Sequence, residues 1–164
     1  MGVVDTDSFR SAMGRFPGAV TIVTALAGAE RRGITATAVC SVTAEPPSVL
    51  VCLNRATGTC AAVGEDGRFN VNLLSDAADA LALRFAGVGG VTGEDKFTEG
   101  DWQADSRGLP VLADATVSLS CDVAEVMEAA SHIIFIGHIV EMRSADGPPL
   151  LYEQRRFHRL SPLK

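Results

Sequence analysis

The sequence predicts a mainly β domain with short helices, closer to a closed β-barrel than to an open parallel sheet. Three observations predict it. Alternating apolar and β-branched runs recur along the chain, and most connections between them are too short for βαβ crossovers. The apolar content is also aliphatic: hydrophobic residues make up 47% of the 164, aromatic residues only 5%. A chain of this length builds one core without staples, so residues 1–164 are read as a single domain.

The elements follow in order. Asp7 is placed to cap a short helix whose Phe9, Ala12, Met13 and Phe16 share a face, and Pro17-Gly18 ends it. Ala19 to Leu26 alternates as a strand, Gly28 to Gly33 is a polar turn carrying Glu30, Arg31 and Arg32, and Ile34 to Val39 completes a hairpin. Cys40 to Pro47 is expected as a connection, because Pro46-Pro47 cannot donate to a central ladder. Ser48 to Leu53 is an unbroken apolar run, expected to be buried on both faces. Thr57 opens a helical turn that ends at Gly64, Arg68 to Leu74 alternates again, and Asp76 caps a helix from Ala77 to Phe85. Gly87 to Asp101 holds Gly87, Gly89, Gly90, Gly93 and Gly100 without apolar period, the pattern of a lid or binding loop. Two further strands follow at Val117–Val123 and Ile133–Val140, then Leu150 to Tyr152 and a basic close from Arg155 to His158.

Charge limits the partners. Twenty Asp plus Glu against fourteen Lys plus Arg give a net charge of −6, with no basic tract. Nucleic-acid backbones and anionic membranes are excluded, and a bound phosphate must be held by a local cationic cluster against the overall field. Cys40, Cys52, Cys60 and Cys121 form no C-x-x-C pair and read as reduced thiols. Met1 to Arg10 has acids where a leader would have bases, and no apolar run reaches the roughly 20 residues of a membrane span. The expected setting is cytoplasmic.

Most catalytic constellations are missing. Residues 87–93 imitate a dinucleotide fingerprint, but they follow a helix, open a charged loop, and break the spacing at Thr92. His132 and His138 share a strand yet stand about 20 Å apart at ~3.3 Å per residue, too far to share a metal. Cys52 lies inside an apolar strand, and no serine sits in a G-x-S-x-G elbow. What remains is Gly33 to Thr43, dense in small and hydroxyl-bearing residues. These are either ordinary pleat residues or a slot in which a flat heterocycle reaches the backbone. In the second case hydroxyls, amides and Arg55 hold a phosphate.

The residues Phe9-Arg10, Met13, Phe16-Pro17 and Ile22-Val23-Thr24, then Gly33 to Thr43, Pro46-Pro47 and Leu50 to Asn54, carry a resemblance. Phe69 to Ser75, Arg84-Phe85-Ala86, Lys96-Phe97 with Asp101-Trp102, and Tyr152 to His158 extend it over nearly the whole chain. Together they resemble the short-chain flavin reductases, the reductase components of two-component flavin-dependent monooxygenases. The similarity is greatest to members serving hydroxyphenylacetate, phenol and pyrimidine-ring oxygenases. The resemblance implies an FMN-binding split β-barrel with a Greek-key core, a homodimer, and FMN or FAD near the subunit interface.

Carried onto this sequence, it implies that Thr35, Ala36, Thr37, Ala38 and Val39 line the flavin ring and ribityl chain. Ser41, Cys52, Leu53, Asn54, Arg55 and Thr57 would hold the polar chain and phosphate, while Phe85, Gly90, Lys96 and Phe97 border the site. NADH or NADPH would meet His132, Arg156 and Phe157. The family's Gly-Asp-His triplet is replaced here by Ala130-Ser131-His132, and Phe157 stands where many members have Tyr. Hydride transfer between two cofactors needs no catalytic side chain, in keeping with the missing dyads. A mobile Gly87–Asp101 loop would release the reduced flavin to the oxygenase component. The alternatives are a non-catalytic flavin-binding barrel and a related split-barrel oxidase.

Overall fold

In the computed structural model, which describes residues 3–163, the chain runs through three α-helices and twelve strands. Helix α1 (Thr6–Met13) leads into β1 (Gly18–Ala19), β2 (Thr21–Ala27), β3 (Glu30–Ala36), β4 (Val39–Ala44) and β5 (Pro47–Asn54). Helix α2 (Gly58–Asp66), β6 (Arg68–Leu73) and helix α3 (Asp79–Phe85) follow. Then come two 3-10 turns, β7 (Trp102–Ala104), β8 (Pro110–Leu112), the long β9 (Val117–Ala129) and β10 (His132–Ser144), and finally β11 (Leu151–Glu153) and β12 (Arg156–His158).

Seven strands form one antiparallel sheet in the order β3-β2-β6-β9-β10-β5-β4. The ladder does not close, because β3 and β4 are its two edges; this is a split barrel. The chain passes from one edge to the other at Thr37-Ala38, where Ala38 O accepts the Cys52 N–H at 3.0 Å and extends the β4-β5 ladder. A small sheet, β1-β11-β12, and the β7-β8 hairpin pack beside it. Strand β2 explains the two cores. Val23 and Ala25 point into the barrel with Val51, Leu53, Phe69, Val71 and Phe135. Val20 and Ile22, on the other face of the chain, pack with Leu74, Phe85, Phe97, Leu112 and Leu150.

Several boundaries differ from expectation. The cap of α1 is Asp5, whose carboxylate accepts the N–H groups of Asp7 and Ser8, so Asp7 sits in the first turn. Glu30, Arg31 and Arg32 belong to β3 rather than a turn, since Ala27 pairs directly with Glu30. Val39–Ala44 is a strand, because its alternating side chains fit an edge position against β5, where the prolines after it do no harm. β5 is not buried on both faces: Val49, Val51 and Leu53 are, while Leu50 and Cys52 are half-exposed. Helix α2 runs past Gly64 to Gly67, whose left-handed φ of 71° makes it the natural stop. Asp76 does not cap α3, since its carboxylate pairs with Arg159 at 2.8 Å, and the helix starts at Asp79. The β7-β8 hairpin had no forerunner in the sequence reading, and β9 and β10 reach well beyond the apolar cores that marked them.

A buried acid fastens the β7-β8 hairpin to the sheet. The Asp105 side chain, 1% exposed, accepts from the N–H groups of Arg107 and Leu109, from Asn70 Nδ2 and from Ser120 Oγ, at 2.9–3.1 Å. Burial pushes its pKa up, but those four donors outweigh burial and hold it below the ordinary 3.8. A carboxyl depressed by folding stabilises the fold above its unfolded pKa and stops doing so as pH falls through its folded one. Asp105→Asn is therefore expected to cost about 2–4 kcal/mol at neutral pH. The difference should shrink as pH falls below 4, measured by urea unfolding across pH.

Candidate functional site

The site is built on the free edge of β3. Arg31 N–H donates outward to the Glu94 carboxylate, and Gly33 O accepts from Lys96 Nζ at 3.2 Å. In an antiparallel strand the outward groups alternate, so Thr35 turns its main-chain N–H and C=O to the same side. Its hydroxyl is already used, donating to Ala82 O of α3 at 2.6 Å. Gly33 brings the strand onto α3. A Cβ there would lie 2.5 Å from Phe85 Cε1, so no larger residue fits without moving the ring.

Two cavities open along this edge. The first, about 370 Å³, lies where Arg32, Gly33 and Ile34 meet Thr57–Thr59 of α2 and Thr92, Gly93 and Lys96 of the loop. Its lining is suited to an anion. Thr57 Oγ1 takes only the Cys60 N–H, leaving the first-turn amides of α2 facing outward with the positive end of the helix dipole. Arg32 lies over Gly58, where a Cβ would stand 3.5 Å from its Cδ and Nε, and it pairs with Glu30. Lys96 donates to Gly33 O and, at 2.8 Å, to Phe85 O, and burial holds its pKa below the usual lysine value. Among the described residues no carboxylate lies within ion-pair distance of it. The second cavity, about 230 Å³, is lined by Thr35, Ala36 and Thr37 on one side and by Ala82, Leu83, Ala86, Tyr152 and Phe157 on the other. Small side chains and aromatic edges make it a slot for a flat group.

The expected site residues divide among several settings. Thr57 and Lys96 line the anion cavity; Thr35, Ala36, Thr37 and Phe157 line the slot. Ala38 forms the corner stitched to Cys52, whose half-exposed thiol has a pKa raised by burial. Val39 and Ser41 lie elsewhere, in an apolar hollow of about 270 Å³ shared with Ser48, Val49 and Ile139. Leu53, Phe85 and Phe97 do not border the site by their side chains, because they are core residues at 2%, 0% and 5% exposure. Phe85 and Phe97 meet edge to face at 5.0 Å and carry the floor beneath Gly33.

Arg55 turns away from the anion cavity to pair with Glu128 at 3.1 Å. Asn54 Oδ1 accepts the Ala56 N–H, and its carbonyl accepts from Thr57, shaping the entry to α2. His132 stands directly opposite Asn54 in the ladder, with Ser131 Oγ 2.9 Å from its Nδ1. The Ala130-Ser131 turn is docked by Arg55 N–H on Ser131 O at 3.0 Å, and Ala130 takes a left-handed φ of 49°. Gly90 sits exposed in a 3-10 turn and Arg156 is exposed on β12.

The loop also makes more side-chain contacts than its glycines suggest. Arg84 donates to Lys96 O, Glu99, Asp95 O and Thr98, and Arg31 pairs with Glu94 while stacking 4.6 Å from the Phe97 ring. That fixes residues 93–99. Sequence reasoning missed Arg32, Gly58, Thr59 and Tyr152. Arg32 was legible in principle, since the alternation of β3 continues backwards through Gly33.

Residues 13–161 match the family model described as the flavin reductase like domain. The 4-hydroxyphenylacetate 3-monooxygenase reductase component of Salmonella typhimurium is 40% identical over 151 residues, 92% of this chain and 89% of that protein. The FMN reductase (NADH) RutF of Ancylobacter novellus is 35% identical over 96% of this chain and 87% of its own. Among solved structures, the NADH:FAD oxidoreductase SgcE6 of Streptomyces globisporus C-1027, in complex with NAD and FAD fragments, superposes with a TM-score of 0.88 at 29% identity. It covers 99% of this chain and 98% of that one. The chain belongs to the flavin reductase like domain family.

Proposed function

We propose that this chain is an NAD(P)H-dependent flavin reductase that passes reduced FMN or FAD to a partner monooxygenase. One observation carries the reading. In a chain of net charge −6, Arg32, Lys96 and the amino end of α2 line one cavity on β3, and small residues further along the same strand wall a second. That donor set fits a flavin: the cations and amides suit its phosphate, and the edge of β3 suits the ring's own donors and acceptors.

When bound, the flavin supplies hydride acceptance from the reduced nicotinamide. The chain's residues align and enclose. Thr35, Ala36 and Thr37 wall the slot, Phe157 and Tyr152 close it, and Arg32 with Lys96 anchors the phosphate. His132, beside Asn54, positions the nucleotide together with Arg156. None of them has to move a proton in the hydride step. Val42, Val126, Met127, Val140 and Met142 expose apolar side chains on β4, β9 and β10, which supports a homodimer. Among the described residues no helix is long and apolar enough to cross a membrane.

Mixing the protein anaerobically with NADH and FMN should bleach the flavin well above the uncatalysed rate. Bleaching at the background rate would reduce the chain to a binding module. Loss of one charge-assisted phosphate contact, worth about 1.5–3 kcal/mol, corresponds to roughly a ten- to hundredfold loss of affinity. Because Arg32 gives up its Glu30 pair to make that contact, Arg32→Gln should raise KM for FMN about two- to thirtyfold while leaving KM for riboflavin, which lacks the phosphate, unchanged. His132→Ala should raise KM for NADH more than KM for flavin, as read from initial rates; equal effects would misplace the nucleotide.

A further inference from the structure

Two carboxylates pair with the arginines of β3 beside the anion cavity, and they are held differently. Glu94 accepts the main-chain N–H of Arg31 as well as its guanidinium, so it is built into the edge of the strand. The Glu30 carboxylate has one polar partner among the described residues, Nη2 of Arg32, and its side chain is 63% exposed. Alternation along β3 puts Glu30 and Arg32 on one face, two residues apart, so no other element is needed to bring them together.

Arg32 is the seated member of that pair. Its side chain is only 25% exposed, and Nη1 donates to Arg31 O at 3.1 Å. Its Cδ and Nε lie over Gly58, the first residue of α2. An anion arriving at the amino end of α2 meets a guanidinium that is kept in place by Arg31 O and the helix. The contact it can displace is the one to Glu30, whose carboxylate has solvent on its other sides. A carboxylate that stays beside a bound phosphate also repels it.

We propose that Glu30 is an internal competitor of the flavin phosphate. It holds Arg32 when no flavin is bound, yields to the phosphate, and takes Arg32 back as the flavin leaves. That exchange makes flavin a substrate that turns over instead of a fixed prosthetic group. The inference rests on the placement of the phosphate at Arg32, and Glu30 acts through Arg32 without touching the flavin.

Titration of the full chain with oxidised FMN or riboflavin, followed by flavin fluorescence without NADH, tests it. An exposed ion pair is worth up to about fivefold in affinity. Glu30→Gln should therefore lower Kd for FMN about two- to fivefold, slow FMN dissociation in stopped flow by a similar factor, and leave Kd for riboflavin unchanged. In the Arg32→Gln background the same substitution should leave Kd for FMN unchanged, because the competition has lost its object. Glu30 is exposed, so the melting temperature of Glu30→Gln should match the wild type. Unchanged FMN binding in Glu30→Gln overturns the proposal, and so does weaker binding, which would make Glu30 an orienting residue for Arg32. An equal gain for riboflavin, or a gain that persists without Arg32, overturns it as well. Wild type that binds FMN no more tightly than riboflavin overturns the phosphate placement and the proposal with it. No NADH enters these titrations, so a protein that shows the expected shifts but reduces no flavin overturns the reductase reading alone.

Discussion

An edge strand that exposes main-chain donors and acceptors pairs readily with other chains, so β3 can wall a binding site only if something else occupies its neighbourhood. The contact that provides this is Gly33 against Phe85. The strand approaches α3 so closely that a single added carbon would meet the ring at 2.5 Å, and Phe85 is in turn held by Phe97 and Trp102 at 5.0 and 5.1 Å. Once the strand is seated, Thr35 and Lys96 reach across to carbonyls, covering parts of its edge with side chains rather than another ladder. The gaps between these props are the two cavities. The core on this side of β2 therefore does more than stabilise; it sets the width of the slot.

Electrostatics divides the surface unevenly. Most arginines are matched to carboxylates, and such exposed pairs contribute little to stability, about 0–1 kcal/mol each. Their effect is to cancel field locally, so that the few cations left unmatched stand out at short range despite the net negative charge. Lys96 belongs to that minority, in the cavity beside α2. Screening over about 8 Å at physiological salt keeps the remote acids from erasing its field.

Much of this was legible in the sequence. Periodicity marked β2, β5, β6, β9 and β10, and the run Gly33 to Thr43 pointed to β3 as the functional strand. The resemblance singled out Lys96, Thr57 and Phe157, and each of them lines one of the two cavities along β3. What could not be read is direction. Arg55 sits in the expected segment, yet its side chain leaves for Glu128 on the adjoining hairpin, a partner 73 residues away. Phe85 and Leu53 lie in site-forming segments, but alternation sends their side chains inward. Arg32 was hidden by its polar neighbours, which look like a turn until Ala27 is seen to pair with Glu30. Local pattern determines which residues share a strand; which face meets the ligand depends on what the opposite face packs against.

Release sets the last constraint on how the anion cavity is built. Neither of its cations stands idle: Arg32 is paired with Glu30, and Lys96 is shared between two carbonyls. A phosphate must compete with those contacts, so the roughly 1.5–3 kcal/mol of a charge-assisted bond is reduced by whatever the displaced partner held, up to about 1 kcal/mol for an exposed pair. Since about 1.4 kcal/mol is tenfold in affinity, each such competition weakens binding several-fold. With residues 93–99 pinned by Arg84, exchange cannot rely on wide opening of that part of the loop. On the proposed placement of the flavin, moderate grip at the phosphate rather than a swinging lid would let the reduced flavin leave.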